Sequence, residues 1–354
     1  MKISIIIPVY NRHHTIKKCL KTVVNQSYKN IEIIVINDGS TDNSLSIINS
    51  IAEKDDRITV INQENAGVEK ARFNGIKAAT GDFLMFVDSD DCLPLSACQK
   101  LIDAQINTKA DVVMGRIERS FFGVVKKSVL NELYNNKLIK KPELMDEYYI
   151  SFFGVNIIPV NIVAKLYKKS LFDNIITFSL KHGEDLCLNM HIFPKIESLY
   201  TINDIVYTYN YGGMTSNYNK DLMNDAIRAY DIKKSYLDKY NYKKGYKYID
   251  IELVNFLITD LTQLYLYKSF TVDELCSYLR EIFKNTQISA CFNSLKNSEY
   301  YKNPEFNLLI DGCMELNNEK IVKWIQYILG NTKKLKLKFY CKRILSAILS
   351  KINL

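Results

Sequence analysis

Four short, almost continuously apolar runs divide the first quarter of the chain: residues 3–9, 31–37, 58–62 and 83–88. A run that is apolar at nearly every position has no face to offer to water. It suits a strand covered on both sides, and hence a parallel sheet sandwiched between helices. The intervening segments agree. Residues 14–26 place Ile16, Leu20, Val23 and Val24 at helical spacing, and residues 66–79 read as a helix stopped near Gly81. Right-handed crossovers follow, and ligands are expected beyond the carboxyl ends of the strands. The fold class is therefore α/β with a mostly parallel central sheet.

Further along, residues 94–107 read as a helix with Pro94 in its first turn, and residues 111–129 as further strands. The pattern is mixed up to about Tyr211. It then turns helical at 220–239, 249–268, 271–284, 319–329 and 334–352. The expected organisation is an α/β domain over 1–216, a C-terminal α-helical module over 217–330 and a basic amphipathic tail over 331–354.

Charge and cysteine usage narrow the setting. Of 47 Lys and Arg, seven lie after Asn331 with no acid among them, so the rest of the chain is close to neutral. A nucleic-acid binder spreads basic charge over a folded face, so no nucleic-acid partner is expected. The eight cysteines form no C-x-x-C pair, which suits buried thiols in a reducing compartment. The start resembles a strand rather than a signal peptide, and no apolar run approaches the ~18 residues of a spanning helix. A cytoplasmic location is expected.

Three acidic clusters are expected at strand ends: Asp38, then Asp88-Ser89-Asp90-Asp91, then Glu184-Asp185. Asp and Ser also favour ordinary turns and helix caps. In an extended turn, however, carboxylates two apart point the same way. A hard cation takes one or two of them and completes its shell with water and substrate phosphates. The first strand runs into Pro8-Val9-Tyr10-Asn11-Arg12, and the first glycine of the chain is Gly39. A glycine turn that cradles a pyrophosphate after strand one is therefore absent, which argues against a dinucleotide dehydrogenase and a sugar nucleotidyltransferase. Acidic strand ends with a metal remain as the way to hold a diphosphate.

Taken in order, Ser4-Ile-Ile-Ile-Pro-Val-Tyr-Asn11, Ile36-Asn-Asp-Gly-Ser-Thr-Asp42, Asn65-Ala-Gly67, Ala71-Arg72-Phe-Asn74-Gly75 and Val87-Asp-Ser-Asp-Asp91 resemble glycosyltransferase family 2. The resemblance is dense over 1–115, continues through Ala164-Lys-Leu-Tyr-Lys168 and Gly183-Glu-Asp-Leu186, and ends near 215. It implies a GT-A fold, a UDP-sugar donor, Mn²⁺ or Mg²⁺, and inversion at the anomeric carbon. It implies that Pro8, Tyr10 and Asn11 line the nucleotide pocket and that Asp38 meets the base. Asn65 and Arg72 would contact the nucleotide or its phosphates, Asp88 and Ser89 the donor on its ribose side, and Asp90 the metal. Asp185 matches the general base, and Glu184 would orient acceptor or sugar. The nearest likeness is to bacterial lipooligosaccharide, capsule and O-antigen enzymes, which suggests a glycan or lipid-linked glycan acceptor and UDP-galactose or UDP-glucose as donor. A retaining transferase and an inactive glycan-binding scaffold are the rival readings.

Two departures stand out. Members often carry an aromatic residue where this chain has Ala164. The segment Asn210-Tyr-Gly-Gly-Met-Thr-Ser216 lacks the basic or histidine-containing loop found in many. His13 and His14 read as exposed first-turn helix residues, His182 as a loop histidine, and Tyr236, Tyr240, Tyr242, Tyr246 and Tyr248 as packing between helices. In the tail, Leu337, Tyr340, Cys341, Ile344, Leu345, Ile348 and Ile352 form one stripe, with Lys336, Lys342 and Arg343 largely off it. A basic amphipathic helix suits the anionic cytoplasmic face of a membrane, and peripheral attachment there is expected.

Overall fold

The protein is described here by a computed structural model covering residues 1–121, 124–126, 135–155, 157–180, 183–210, 221–268, 270–296, 311–312 and 319–324. The tail at 331–354, His182, the segment 211–220 and the thiols Cys313 and Cys341 lie outside these residues. The chain forms two compact units, one made of 1–152 with 156–213, the other of 153–155 with 214–354.

The first unit opens with β1 (Ile3–Val9), α1 (Ile16–Val24), β2 (Ile31–Asp38), α2 (Ser44–Ala52), β3 (Ile58–Gln63), α3 (Val68–Ala78) and β4 (Phe83–Phe86). These four strands pair in parallel in the order β3-β2-β1-β4, as continuous apolar runs require. Ile3, Ile5, Ile6 and Ile7 are all fully buried. Gly75 lets α3 settle on this sheet: a Cβ there would meet Ile6 Cγ2 at 2.5 Å and Ile36 Cδ1 at 2.8 Å. Arg72, one turn earlier on α3, is thereby held close to the carboxyl edge of the strands.

Beyond β4 the unit adds α4 (Ala97–Thr108), β5 (Val112–Phe121), β6 (Val124–Lys126), β7 (Leu138–Lys140), the single turn α5 (Lys141–Glu143), β8 (Lys165–Lys168), α6 (Glu184–Ile192) and β9 (Ser198–Asn210). The described sheet runs β3-β2-β1-β4-β8-β5-β9-β7, with β6 on β5. Most of its ladder is parallel, but β8 is antiparallel to both β4 and β5. Because β8 runs backwards, its first residue, Lys165, lies at the edge where β4 ends and Asp88 begins. The helix expected from 94 starts at Ala97. Pro94 closes the turn before it, its carbonyl accepting the Ala97 N–H at 3.0 Å.

The second unit contains α7 (Leu222–Lys239), α8 (Tyr246–Lys268), α9 (Val272–Ile282) and α10 (Thr286–Lys296). The periodic segments expected at 220–239, 249–268 and 271–284 correspond to the first three; α10 was not anticipated. Leu253, Val254, Leu257 and Leu261 of α8 share a core with Leu275, Leu279, Ile288 and Phe292. Thr271 and Glu274 form a capping box that starts α9. Tyr236 is buried, and Tyr242 stacks on Phe153 at 5.9 Å, in keeping with a packing role. Among the described residues no helix is long and apolar enough to cross a membrane.

Candidate functional site

The carboxyl edge of the parallel strands is built from loops that hydrogen-bond one another. Pro8 is buried within β1 opposite Ile36. The β1–β4 ladder stops at Ile6 and Phe86, so the N–H that Pro8 lacks breaks no rung, and the sheet splits there. Tyr10 emerges at the strand end, 44% exposed. Asn11 takes a left-handed backbone (φ 50°), donates its N–H to Ser40 Oγ at 3.1 Å and accepts the Thr41 N–H on Oδ1 at 2.8 Å. Its side chain ties two loops together. His13 and His14 precede α1 rather than opening it. His13 Nδ1 lies 2.6 Å from Asp42 Oδ2, so that ring is tethered while His14 is exposed.

Asp38 ends β2 and is buried. Its Oδ1 accepts from Gln63 Nε2 at 2.7 Å and Ala66 N at 2.8 Å, and its Oδ2 from Gly67 N at 2.9 Å. It thus fixes the entry to α3 and with it the exposed Asn65. Gly39 is required beside it. Its φ is 68°, and a Cβ would come within 2.7 Å of Asn65 N.

The turn after β4 carries Asp88, the buried Ser89, Asp90 and Asp91. Asp91 is the structural member. Its Oδ2 accepts the Tyr207 hydroxyl at 2.8 Å and its Oδ1 the Asn210 N–H at 2.8 Å. Asn210 also donates from Nδ2 to the Asp90 carbonyl at 2.8 Å, so the end of β9 grips the acidic turn. Burial pushes the Asp91 carboxyl up to about 8; the Asn210 bond opposes this, and the charges of Asp90 and Asp88 add to it. Asp90 is left with Arg12 Nε at 3.8 Å. Burial and then the charge of Asp88 raise its pKa, a strain that a cation relieves. Among the described residues no three His, Cys, Asp or Glu side chains form a ready-made metal cage. Two neighbouring carboxylates on one turn fit a hard cation whose remaining ligands are phosphate and water.

Arg72 joins this turn to the third cluster. The guanidinium is 5% exposed. Its Nη2 donates to Asp88 Oδ1 at 2.9 Å, and its Nη1 to Glu184 Oε1 at 3.0 Å and Asp185 Oδ1 at 2.5 Å. Burial works against its charge, but Asp185, Asp88 and Glu184 outweigh it and raise the pKa. Gly183, at φ 87°, turns the chain so that Glu184 and Asp185 open α6 rather than end a strand as the sequence suggests. Burial raises the pKa of both: Glu184 to about 7, with the charge of Asp185 adding, while for Asp185 Arg72 pulls the other way. Asp185 Oδ2 accepts the Ile162 N–H at 3.3 Å.

The structure therefore gathers Asp88, Glu184 and Asp185 on one guanidinium, with Asp90 and Arg12 alongside. Asp38, Asn65, Pro8, Tyr10 and Asn11 sit at the neighbouring strand ends. Sequence reasoning assigned Arg72 to the nucleotide or its phosphates; here its terminal nitrogens are engaged by carboxylates. It gave no role of their own to Asp91, Tyr207, Lys165 and Asn189. The available signal was polarity inside apolar strands and helices, as with Lys165 before Leu166 and Asn189 between Leu188 and Met190.

Comparison with known proteins bears on the family and the fold. The family model described as Glycosyl transferase family 2 matches residues 4–171. Glycosyltransferase GlyG of Streptococcus pneumoniae is 33% identical over 217 residues, 58% of this chain and 70% of that protein. GlyA of the same organism is 34% identical over 210 residues, 59% of this chain but only 30% of that longer protein. Among solved structures, residues 1–349 of S. aureus TarS in complex with UDP align with a TM-score of 0.58 at 17% identity, covering 93% of this chain and 92% of that one. That likeness extends to the fold, a GT-A-like sheet followed by helices. The chain belongs to glycosyltransferase family 2.

Proposed function

We propose that this enzyme is an inverting, metal-dependent transferase that moves a hexose from a UDP-sugar onto a hydroxyl of a glycan or lipid-linked glycan in cell-surface polysaccharide synthesis. The observation that carries the reading is the Arg72 node. It draws a donor-side carboxylate, Asp88, and the acceptor-side pair, Glu184 and Asp185, to one point at the carboxyl edge of the sheet. The UDP in the TarS structure supports a uridine donor on the same fold.

In this reading the uracil lies between Tyr10 and the loop that Asp38 holds, with Asn65 and Asn11 at its rim and Ser89 below the ribose. Asp90, with Asp88 beside it, would hold Mn²⁺ or Mg²⁺. A divalent ion there supplies Lewis-acid stabilisation of the leaving diphosphate. Asp185 is the base. Arg72 on Oδ1 and the Ile162 N–H on Oδ2 fix its carboxylate, and burial raises its proton affinity, which suits a base. It takes the proton of the acceptor hydroxyl. The acceptor oxygen forms its bond to the anomeric carbon as the bond to the diphosphate breaks on the opposite face, and UDP departs. One displacement suffices and no enzyme nucleophile is needed. Glu184 accepts a hydrogen bond from the incoming sugar. The basic tail brings the enzyme to the anionic leaflet that carries a lipid-linked acceptor.

A panel of UDP-sugars tests this directly by release of UDP, with and without EDTA, followed by anomeric analysis of the product. Turnover of a UDP-hexose that EDTA abolishes and Mn²⁺ restores, with an inverted product, is expected. An EDTA-insensitive enzyme or a retained anomer contradicts it.

A further inference from the structure

Lys165 is a charged residue in a place built for an apolar one. It is 4% exposed, at the head of β8, where Leu166 and Tyr167 follow it into the core. A buried amine is costly unless its hydrogens find acceptors. Here its hydrogen-bond partners all belong to one turn: Nζ donates to the Asn161 carbonyl, to Asn161 Oδ1 at 3.2 Å and to the Val163 carbonyl at 3.5 Å. None of them is a carboxylate, so Lys165 is not paired with Asp185, although the two charges lie near enough to influence each other.

The same turn is gripped from a second side. Asn189, in the middle of α6 and 5% exposed, donates from Nδ2 to the Val160 and Asn161 carbonyls, each at 2.9 Å. Its Oδ1 accepts the hydroxyl of buried Tyr167 at 2.8 Å, which sets which end of the amide faces the turn. The turn leaves through Ala164, a non-glycine residue at φ 59°, whose carbonyl accepts the Gly115 N–H at 3.0 Å. A left-handed alanine persists only where its surroundings impose it. All of these restraints converge on the turn whose Ile162 N–H is aimed at Asp185 Oδ2 at 3.3 Å.

We propose that Lys165 is a positioning residue for Asp185, acting by clamping the 160–163 turn so that the Ile162 amide holds the carboxylate in its productive orientation; the inference rests on Asp185 being the base. Burial lowers the amine's pKa to about 7, and the proximity of Asp185 opposes this. The clamp operates in either state, since an ammonium offers three hydrogens and an amine two. The other groups facing Asp185 are Arg72 from α3, Asp88 from the β4 turn, Tyr167 from β8 and Glu184 beside it. Arg72 meets the other oxygen, Oδ1, while Oδ2 accepts the Ile162 N–H, so its orientation depends on the clamp.

The test is Lys165→Met, which keeps the stem and removes the donors. Three readouts apply: calorimetry with UDP and Mn²⁺, kcat per UDP-binding site, and hydrogen exchange of the peptide spanning 160–163. Expected are unchanged UDP affinity, unchanged donor KM, kcat lower by roughly 10-fold or more because a displaced base loses alignment, and faster exchange at Ile162. A wild-type kcat overturns the proposal. So does a fall in activity that merely tracks lost UDP-binding sites, which is what a structural role produces. If the wild-type protein turns over no UDP-sugar, the functional reading fails, and exchange alone decides the clamp: unchanged Ile162 protection in the variant overturns it, lost protection upholds it. Should Lys165→Met not fold, Asn161→Ala removes one acceptor of the clamp; wild-type kcat and protection in that variant overturn the proposal equally.

Discussion

The hydroxyl of Tyr207, near the end of β9, donates to Asp91 Oδ2 at 2.8 Å and accepts the Asp88 N–H at 3.1 Å. One buried phenol thus connects the last strand of the α/β unit to both ends of the acidic turn. Tyr207→Phe leaves the buried Asp91 carboxylate short of a donor, and we expect a loss of about 1–3 kcal/mol in urea unfolding. Calorimetry should also show weaker UDP binding in the presence of Mn²⁺, because the turn carrying Asp88 and Asp90 loses its anchor. Wild-type stability and affinity would show that the turn holds itself.

Arg72 is the counter-charge of three carboxylates, so its removal is expected to be severe. Arg72→Met should destabilise the fold by about 3–5 kcal/mol, the range for breaking a buried pair. Arg72→Lys should not restore activity, since a single ammonium cannot reproduce the planar fork that reaches Asp88 on one side and Glu184 and Asp185 on the other. Thermal unfolding and turnover of the two variants check this; an active lysine variant would contradict it.

Much of this was legible in the sequence, and the boundary has a physical cause. The strands β1 to β4 announce themselves because burial on both faces leaves no polar position, and Asp38 and Asp88 follow directly at their ends. The strand β8 is four residues long and begins with a lysine, so neither period nor hydropathy marks it. Arg72 meets Asp185 across 113 positions, a closure that only the threading of β8 and α6 can bring about. Residues matched to a motif were found with their general location; which of them bond one another was not. Ala164 illustrates this: its departure from the family pattern was visible, but its left-handed backbone was not.

Glu184 gives a pH signature. Its folded pKa is raised to about 7 by burial and then by Asp185, above the ordinary value of 4.5. The folded state therefore holds a proton that the unfolded state has released. Its contribution to stability is complete below pH 4.5 and is lost as pH rises through 7. Glu184→Gln should flatten that part of the profile in urea titrations run across the window. An unchanged slope would place the proton elsewhere.

Gly39→Ala tests the floor of the proposed nucleotide pocket. The added Cβ meets Asn65 N at 2.7 Å, and the φ of 68° disfavours any side chain. A cost of about 1–3 kcal/mol is expected from backbone strain, with weaker UDP binding as Asn65 is pushed away. Unaltered UDP affinity would remove Asn65 from the pocket.

The most direct measurement is on Asp185→Asn, a nearly isosteric change that removes the proposed base and keeps an oxygen to accept from Arg72. Calorimetry with UDP and Mn²⁺ should match wild type, while turnover of the preferred UDP-sugar with acceptor falls by at least ~10²-fold. Turnover at the wild-type rate with intact UDP binding would show that Asp185 does not take the acceptor's proton, and the account of the Arg72 node as a catalytic centre would fail with it.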